Sequence, residues 1–73
     1  MDFLARFGTN LRAARLAQGW TQEDLAERTG LAVVQVSRIE RGKREIRLST
    51  LVRLTEALEI DPSVLLDGVH VRD

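Results

Sequence analysis

The basic side chains between residues 38 and 47 are the groups in this chain that are best suited to chemistry. The segment holds five basic residues against two acidic ones, Glu40 and Glu45, which leaves a net charge of +3. Cations at this density suit a polyanion such as the phosphate backbone of a nucleic acid, although a short charge run can also be only a solvated surface. The basic residues are Arg38, Arg41, Lys43, Arg44 and Arg47.

The total charge of the chain conceals this segment. The 73 residues carry eleven basic and eleven acidic side chains, and the pI is about 6.6. Residues 1–37 hold four charges of each sign, whereas residues 48–73 hold two basic and five acidic groups, a net charge of −3. A neutral total therefore combines a basic middle with an acidic end, which argues against a uniformly basic nucleic-acid binder.

Other kinds of chemistry lack the residues they need. The chain has no cysteine and one histidine, His70, so thiolate metal sites, disulfides and histidine-based triads are excluded. It has no nucleophile–base pair and no phosphate-cradling glycine loop, and an aromatic content of 4% offers no stacking platform for single-stranded RNA. We therefore expect no enzyme activity, no metal and no cofactor.

The chain also lacks the signals of a membrane or secreted protein. No apolar run approaches the roughly 20 residues that span a bilayer, and the start of the sequence has no secretory pattern. We expect a cytoplasmic protein without a membrane partner.

Apolar spacing, capping residues and glycines predict five short helices in one domain over residues 1–73. Thr21 is a good N-cap for the second helix, and Asp61-Pro62 is a typical start for the fifth. With so few aromatic residues and one proline, the fold class is all-α. The predicted helices cover residues 3–18, 22–29, 32–41, 48–59 and 62–67.

The third predicted helix has two different faces. Val36, Ile39 and Glu40 fall on the inward side, and a buried carboxylate needs a partner. The outward and flanking positions are polar, basic or apolar, and they are Val33, Val34, Gln35, Ser37, Arg38 and Arg41.

The second and third predicted helices together form a helix-turn-helix over about residues 21–41, joined at Gly30-Leu31. In this motif the second helix lies in the major groove of DNA and reads base edges. The free N–H groups at the start of the first helix suit a phosphate. Helix pairs joined by glycine also occur in bundles that bind nothing, so the pattern alone leaves both interpretations open.

Several segments of the chain resemble the XRE family of helix-turn-helix proteins, which includes phage repressors and Cro-like proteins. The similarity covers about residues 7–66 and includes Phe7-Gly8, Arg15, the run from Thr21 to Glu27, Gly30-Leu31 and the run from Val36 to Arg44. It implies a compact five-helix, lambda-repressor-like DNA-binding domain. Restriction–modification controller proteins are small regulators of this family with a similar Gly-Lys-Arg-x-Ile segment.

The resemblance implies roles for the matching positions. Gln22 is expected to bind a phosphate, and Arg38 to contact either guanine or a phosphate. Arg15 is the expected partner of Glu40 in a structural ion pair. The expected DNA contacts are Thr21, Gln22, Val33, Val34, Gln35, Ser37, Arg38, Arg41, Lys43 and Arg44.

The start of the third helix departs from the family pattern. Helix openings at this place are usually polar, whereas this chain has Ala32-Val33-Val34. Three interpretations stay open at this point: Val34 contacts a thymine methyl group, Val34 is an incidental exposed valine, or Val33 and Val34 touch a partner protein.

We expect a homodimer on a near-palindromic operator, because a single module of this size buries limited DNA-contacting surface. The candidate interface residues are Leu65, Leu66, Val69 and Val71, although the leucines can equally belong to the core. In some activators of the family, the positions of Glu23 and Glu27 contact RNA polymerase. Carboxylates at a helix start also stabilise the helix dipole without any such contact.

The sequence therefore favours a transcriptional regulator that binds double-stranded DNA sequence-specifically, of the autoregulatory controller type. Repression and activation both remain open. The alternative is an antitoxin-like protein-interaction module that also binds DNA, for which we would expect a long extra segment that wraps the partner. The chain has almost none.

Overall fold

The fold consists of helices joined by short turns. The structure is a computed structural model that describes residues 2–71, so the predicted domain ends at Met1 and Asp73 lie outside the described residues. The helices are α1 (Phe3–Ala17), α2 (Gln22–Thr29), α3 (Val33–Glu40), α4 (Leu48–Leu58) and α5 (Pro62–Leu66). Residues 2–71 contain no strand, and the all-α prediction is confirmed. None of the helices in this range has the length and apolar character needed to cross a membrane.

α2 is closed at both ends by local interactions. The Thr21 hydroxyl accepts a hydrogen bond from the Asp24 N–H at 3.0 Å, and the Thr21 N–H donates to the Asp24 carboxylate at 2.9 Å. The helix ends at Gly30, whose φ of +76° is a left-handed conformation that glycine adopts without steric cost. This short polar helix is therefore fixed by its caps as well as by burial of Leu25 and Ala26.

α3 begins without a polar capping side chain. Its N-cap residue is Ala32, which makes no side-chain hydrogen bond to the first turn, but the Gln35 Oε1 accepts a hydrogen bond from the Ala32 N–H at 3.0 Å. This is half of a reciprocal capping box.

Each helix contributes to one apolar core. Val36 and Ile39 of α3 point into it, and α1 crosses α3 so closely that a Cβ on Gly8 would overlap the carbonyl oxygens of Ile39 and Glu40. A glycine is therefore required in the middle of α1 at this crossing. The fully buried or nearly buried apolar residues are Phe7, Leu11, Leu25, Ala26, Val36, Ile39, Leu54, Leu58 and Leu65.

α5 is held to α1 through its backbone. The Asn10 side-chain amide donates to the carbonyl oxygens of Leu65 and Asp67 at 2.9 and 2.8 Å, and Arg6 Nε donates to the Asp67 carbonyl at 3.0 Å. This docking turns Leu65 into the core, where none of its surface is exposed. The prediction that Leu65 belongs to a dimer interface is wrong, since a side chain without exposed surface cannot contact a partner.

Candidate nucleic-acid interface

α2 and α3 form the helix-turn-helix unit, and α1 supports it from behind. The chain passes from Gly30 through Leu31 and Ala32 into α3, and Leu31 packs against the core. The buried face of α3 is turned towards α1 and α2, so its opposite face is left to solvent.

A buried charged network joins these three helices. The Glu40 carboxylate accepts hydrogen bonds from Arg15 Nε at 2.7 Å, Arg15 Nη2 at 3.0 Å and Gln22 Nε2 at 3.1 Å. The ion-pair side chains are 9% (Arg15) and 3% (Glu40) exposed. The bidentate hydrogen bonds to Glu40 raise the pKa of Arg15 above its ordinary value, against the opposing effect of burial. The structure thus contains the ion pair that was expected at these positions.

Gln22 is the member of this network that the sequence did not connect to Glu40. Its amide nitrogen, the expected donor to a DNA phosphate, already donates to the Glu40 carboxylate. A side-chain amide carries two N–H groups, so one of them stays available while the other holds the orientation of the side chain. The network therefore fixes Gln22 in place in the absence of DNA.

The outward face of α3 combines two valines with one arginine. Val33 and Val34 are 39% and 57% exposed, and Arg38 is also exposed. Gln35 and Ser37 are half-buried, and the Gln35 oxygen is used by the N-cap of the helix. Arg41 Nε reaches the Ser37 carbonyl at 3.4 Å.

The basic side chains after α3 face a polar groove. Arg44, Arg47 and Arg53 line this groove of about 350 Å³ together with Gln35 and Gly30 of the helix-turn-helix unit. Within residues 2–71, these three arginines, Arg38 and Lys43 make no ion pair and no side-chain hydrogen bond with the protein. Their charges are therefore available to an external anion.

The sequence did not indicate Arg53 as a groove residue, because it lies in the acidic part of the chain (residues 48–73) and outside the basic segment of residues 38–47. The helical repeat carries a signal, since Arg53 follows Ser49 by four residues and both line the groove.

The remaining expected residues fall in different environments. The Thr21 hydroxyl oxygen already accepts a hydrogen bond from the Asp24 N–H in the α2 cap. Glu23 and Glu27 are exposed, and neither makes an ion pair among the described residues. Hydrogen bonding with Thr21 lowers the pKa of Asp24; the backbone N–H of Thr21 has the larger effect and its side chain the smaller one.

The expected dimer surface is only partly exposed. Leu66 and Val71 are 43% and 72% exposed, whereas Val69 is half-buried against the core. Leu66 and Val69 line a mainly apolar groove of about 290 Å³ with α1, the start of α4 (including the exposed Leu48) and the loop residues Arg44 and Arg47. Leu48 and Val52, which the sequence did not single out, are also exposed, and their spacing of four residues places both on one side of α4.

Comparison with known proteins agrees with this architecture. Residues 11–65 match a family model described as helix-turn-helix. The chain is 36% identical over 66 residues to the control protein C.SmaI of Serratia marcescens, covering 90% of this chain and 79% of that one. The control protein C.BamHI of Bacillus amyloliquefaciens is 37% identical over 62 residues, which cover 84% and 76% of the two chains.

The chain covers different shares of two further relatives. A hypothetical transcription factor of Neisseria meningitidis is 37% identical over 89% of this chain, which spans only 61% of the Neisseria protein. The crystal structure of the restriction–modification controller protein C.AhdI from Aeromonas hydrophila superimposes with a TM-score of 0.83 at 42% identity, covering 85% of this chain and 94% of that one.

The matched residues include both helices of the motif, the turn between them and the core that supports them. The match covers more than half of the chain, and the solved relative has the same fold. The chain therefore belongs to the XRE-type helix-turn-helix family of DNA-binding transcriptional regulators, which are not enzymes.

Proposed function

We propose that this protein binds a near-palindromic operator as a homodimer, with α3 of each copy in the major groove. The observation that carries the proposal is the set of unpaired cations on and beside the exposed face of α3: Arg38 on the helix, and Arg44, Arg47 and Arg53 in the adjoining groove. A helix in the major groove lies beside the phosphate backbone, so unpaired cations next to its exposed face suit DNA.

In this arrangement the side chains divide into readers and anchors. Arg38 donates to guanine O6 and N7, with Ser37, Gln35 and Arg41 beside it. Gln22 and Thr21 contact one phosphate at the start of α2, and Lys43 and Arg44 hold the backbone after α3. We add Arg53 to the anchors because it shares the groove with Arg44.

The dimer surface that we propose is centred on Leu66 and Val71 and extends to Leu48 and Val52 of α4. These four side chains are exposed apolar groups, and the groove beside Leu66 and Leu48 can receive side chains of the second copy. Burial of this surface would make operator occupancy depend steeply on protein concentration, because the dimer must form before both half-sites are bound.

The controller role rests on the relatives. C.SmaI and C.BamHI are named control proteins, and we infer that this chain likewise acts on the promoter of its own gene, in the cytoplasm. If it activates transcription, Glu23 and Glu27 are the proposed contacts with RNA polymerase, since both lie exposed on α2.

The DNA-binding proposal is tested by selection from random double-stranded DNA, followed by fluorescence anisotropy on the selected site with excess competitor. Arg38→Ala is expected to lower the preference for the selected site over random DNA by about 1–3 kcal/mol. Arg12→Ala, which removes an exposed arginine from α1, is the control. Equal weakening on all sequences would make Arg38 a phosphate contact, and failure to select any sequence would favour the antitoxin-like alternative.

The dimer proposal is tested by sedimentation equilibrium of Leu66→Ser. Loss of an apolar contact in each copy is expected to shift the protein towards monomer. Leu16→Ser is the matched control, because Leu16 is also exposed but lies at the opposite end of α1, about 20 Å from Phe3 at 1.5 Å per residue. A wild-type protein that is monomeric both free and on DNA would contradict the proposal.

A further inference from the structure

Core packing does not explain why residues 33 and 34 are valines. The core positions of α3 are Val36 and Ile39, whereas Val33 and Val34 keep 39% and 57% of their surface exposed at the first turn of the helix. Valine also has a lower helix propensity than most polar residues, so the pair does not help the helix to start.

The side chains next to the two valines carry few polar groups. Ala32 has no polar side chain, and the oxygen of Gln35 accepts a hydrogen bond from the Ala32 N–H. Ser37 is half-buried one turn further along. The exposed side chains of Val33 and Val34 therefore offer a base edge an apolar surface, beside the amide N–H groups of Gln35 and the exposed guanidinium of Arg38.

The surroundings of the valines identify the occupant as a nucleic acid. Gln35, the residue that follows Val34, lines the groove together with Arg44, Arg47 and Arg53, and these arginines have no anionic partner within residues 2–71. An apolar surface bordered by unpaired cations is complementary to a polyanion that exposes apolar groups between its phosphates. Double-stranded DNA does so in the major groove, where the apolar group on a base edge is the 5-methyl group of thymine.

We propose that Val33 and Val34 are specificity-determining residues that read the 5-methyl group of pyrimidines. A valine satisfies none of the donors and acceptors of a base edge, and these are the same with or without the 5-methyl group; the methyl group adds an apolar contact whose burial against a valine is favourable. The methyl group of 5-methyl-dC occupies the same place on the ring as that of dT, so the pair distinguishes dT and 5-methyl-dC from dU and dC. This inference rests on the proposed placement of α3 in the major groove.

The test uses the operator obtained by selection, with dU replacing dT at one position at a time. This change removes one methyl group and leaves base pairing intact. At the positions facing the valines, we expect binding to weaken by about fourfold for each methyl group (about 0.8 kcal/mol). Replacing the same dT·dA pair with dC·dG is expected to weaken binding, and 5-methylation of that dC is expected to recover about fourfold.

The valines are tested by repeating the dT and dU measurements with Val33→Ala and Val34→Ala. Each variant is expected to bind the dT operator more weakly and to lose the preference for dT over dU at its own position. Val64→Ala is the matched control, because Val64 is a 47% exposed valine on α5. Thermal melting of each variant checks that the fold is retained.

Three results would overturn the inference. Equal affinity for the dT and dU operators at every position would show that no methyl group is read, and a preference that survives both alanine variants would assign it to other residues. If no DNA sequence is selected at all, both this inference and the proposed function fail. A selected operator that is insensitive to dU overturns this inference alone.

Discussion

The Glu40 carboxylate joins three helices through its hydrogen bonds. It neutralises Arg15 of α1, orients Gln22 of α2 and belongs to α3, so it ties the DNA-binding motif to its support. The inward position of Glu40 and the resemblance together predicted the pair with Arg15. The bond to Gln22 could not be predicted, because it depends on how α2 and α3 pack across 18 residues of sequence.

We predict that Glu40→Gln destabilises the protein by about 3 kcal/mol, because it leaves the buried Arg15 without a counter-charge. Urea unfolding at pH 7 measures the effect. Glu45→Gln, at an exposed position in the loop after α3, is the control and should leave the midpoint unchanged. Equal midpoints for the wild type and Glu40→Gln would contradict the structural importance of the pair.

Asp24 gives the α2 cap a dependence on pH. Its carboxylate accepts the Thr21 N–H, which lowers the pKa of Asp24 below its ordinary value of 3.8. Because the folded state has the lower pKa, the charged form stabilises the protein above about pH 3.8, and this contribution is lost as the pH falls through the folded value.

We predict that Asp24→Asn lowers the Tm at pH 7 and that the difference from wild type disappears in acid, because asparagine does not titrate. Thermal melts between pH 7 and about pH 2.5 follow the difference across the range in which aspartate takes up its proton. Glu27→Gln, on the same helix but outside the cap, serves as the control. A Tm difference that stays constant with pH would argue against an ionised cap.

The helices themselves were largely readable from the sequence. Caps and glycines predicted all five elements, and their ends agree with the structure to within about two residues. The end of α4 also agrees with the prediction, although the helix closes at Glu59 with a φ of +54°, a conformation that glutamate rarely adopts. The sequence does not indicate this backbone conformation, because no glycine stands where α4 ends.

The close crossing of α1 and α3 leads to a prediction about Gly8. Alanine normally stabilises the middle of a helix by up to about 1 kcal/mol relative to glycine. At this crossing, however, the added methyl group would overlap the backbone carbonyls of Ile39 and Glu40, which cannot move without shifting α3. We expect Gly8→Ala to destabilise the protein by about 1–3 kcal/mol and to weaken operator binding.

Chemical denaturation and operator titration of Gly8→Ala measure both effects. Ala13→Gly, at an exposed position on the same helix, gives the ordinary difference between the two residues as a reference. A more stable Gly8→Ala protein would mean that α1 can move away from α3 without cost.

The packing of whole elements limited the prediction of the dimer surface. The run Val64-Leu65-Leu66 lies on a helix of five residues, which is too short for its apolar spacing to define a face. The hydrogen bonds from Asn10 and Arg6 to the end of α5 orient Leu65 inward and leave Val64 and Leu66 outside. The orientation of α5 therefore depends on contacts between opposite ends of the chain, and the local sequence of α5 could not predict it.

The charge distribution of the whole molecule leads to a prediction about salt. Because the net charge is zero, attraction to DNA must come from the local cations after α3 and not from the molecule as a whole. We expect Lys43→Ala to weaken binding about equally on operator and random DNA, and to reduce the slope of log K against log salt concentration by about one unit. Arg12→Ala should leave the slope unchanged.

Titrations of both DNA types between about 50 and 200 mM salt measure this slope. A loss confined to the operator would instead make Lys43 a base contact.

The division of labour along α3 has a consequence for how such a regulator can change over time. Val36 and Ile39 pack in the core and Glu40 pairs with Arg15, so these residues stabilise the fold. The side chains of Val33, Val34 and Arg38 lie outside the core. Mutations at the second set therefore escape the selection against misfolding that constrains the first. Gene duplication followed by drift at these few codons offers a short evolutionary route to a paralogue that recognises a different operator.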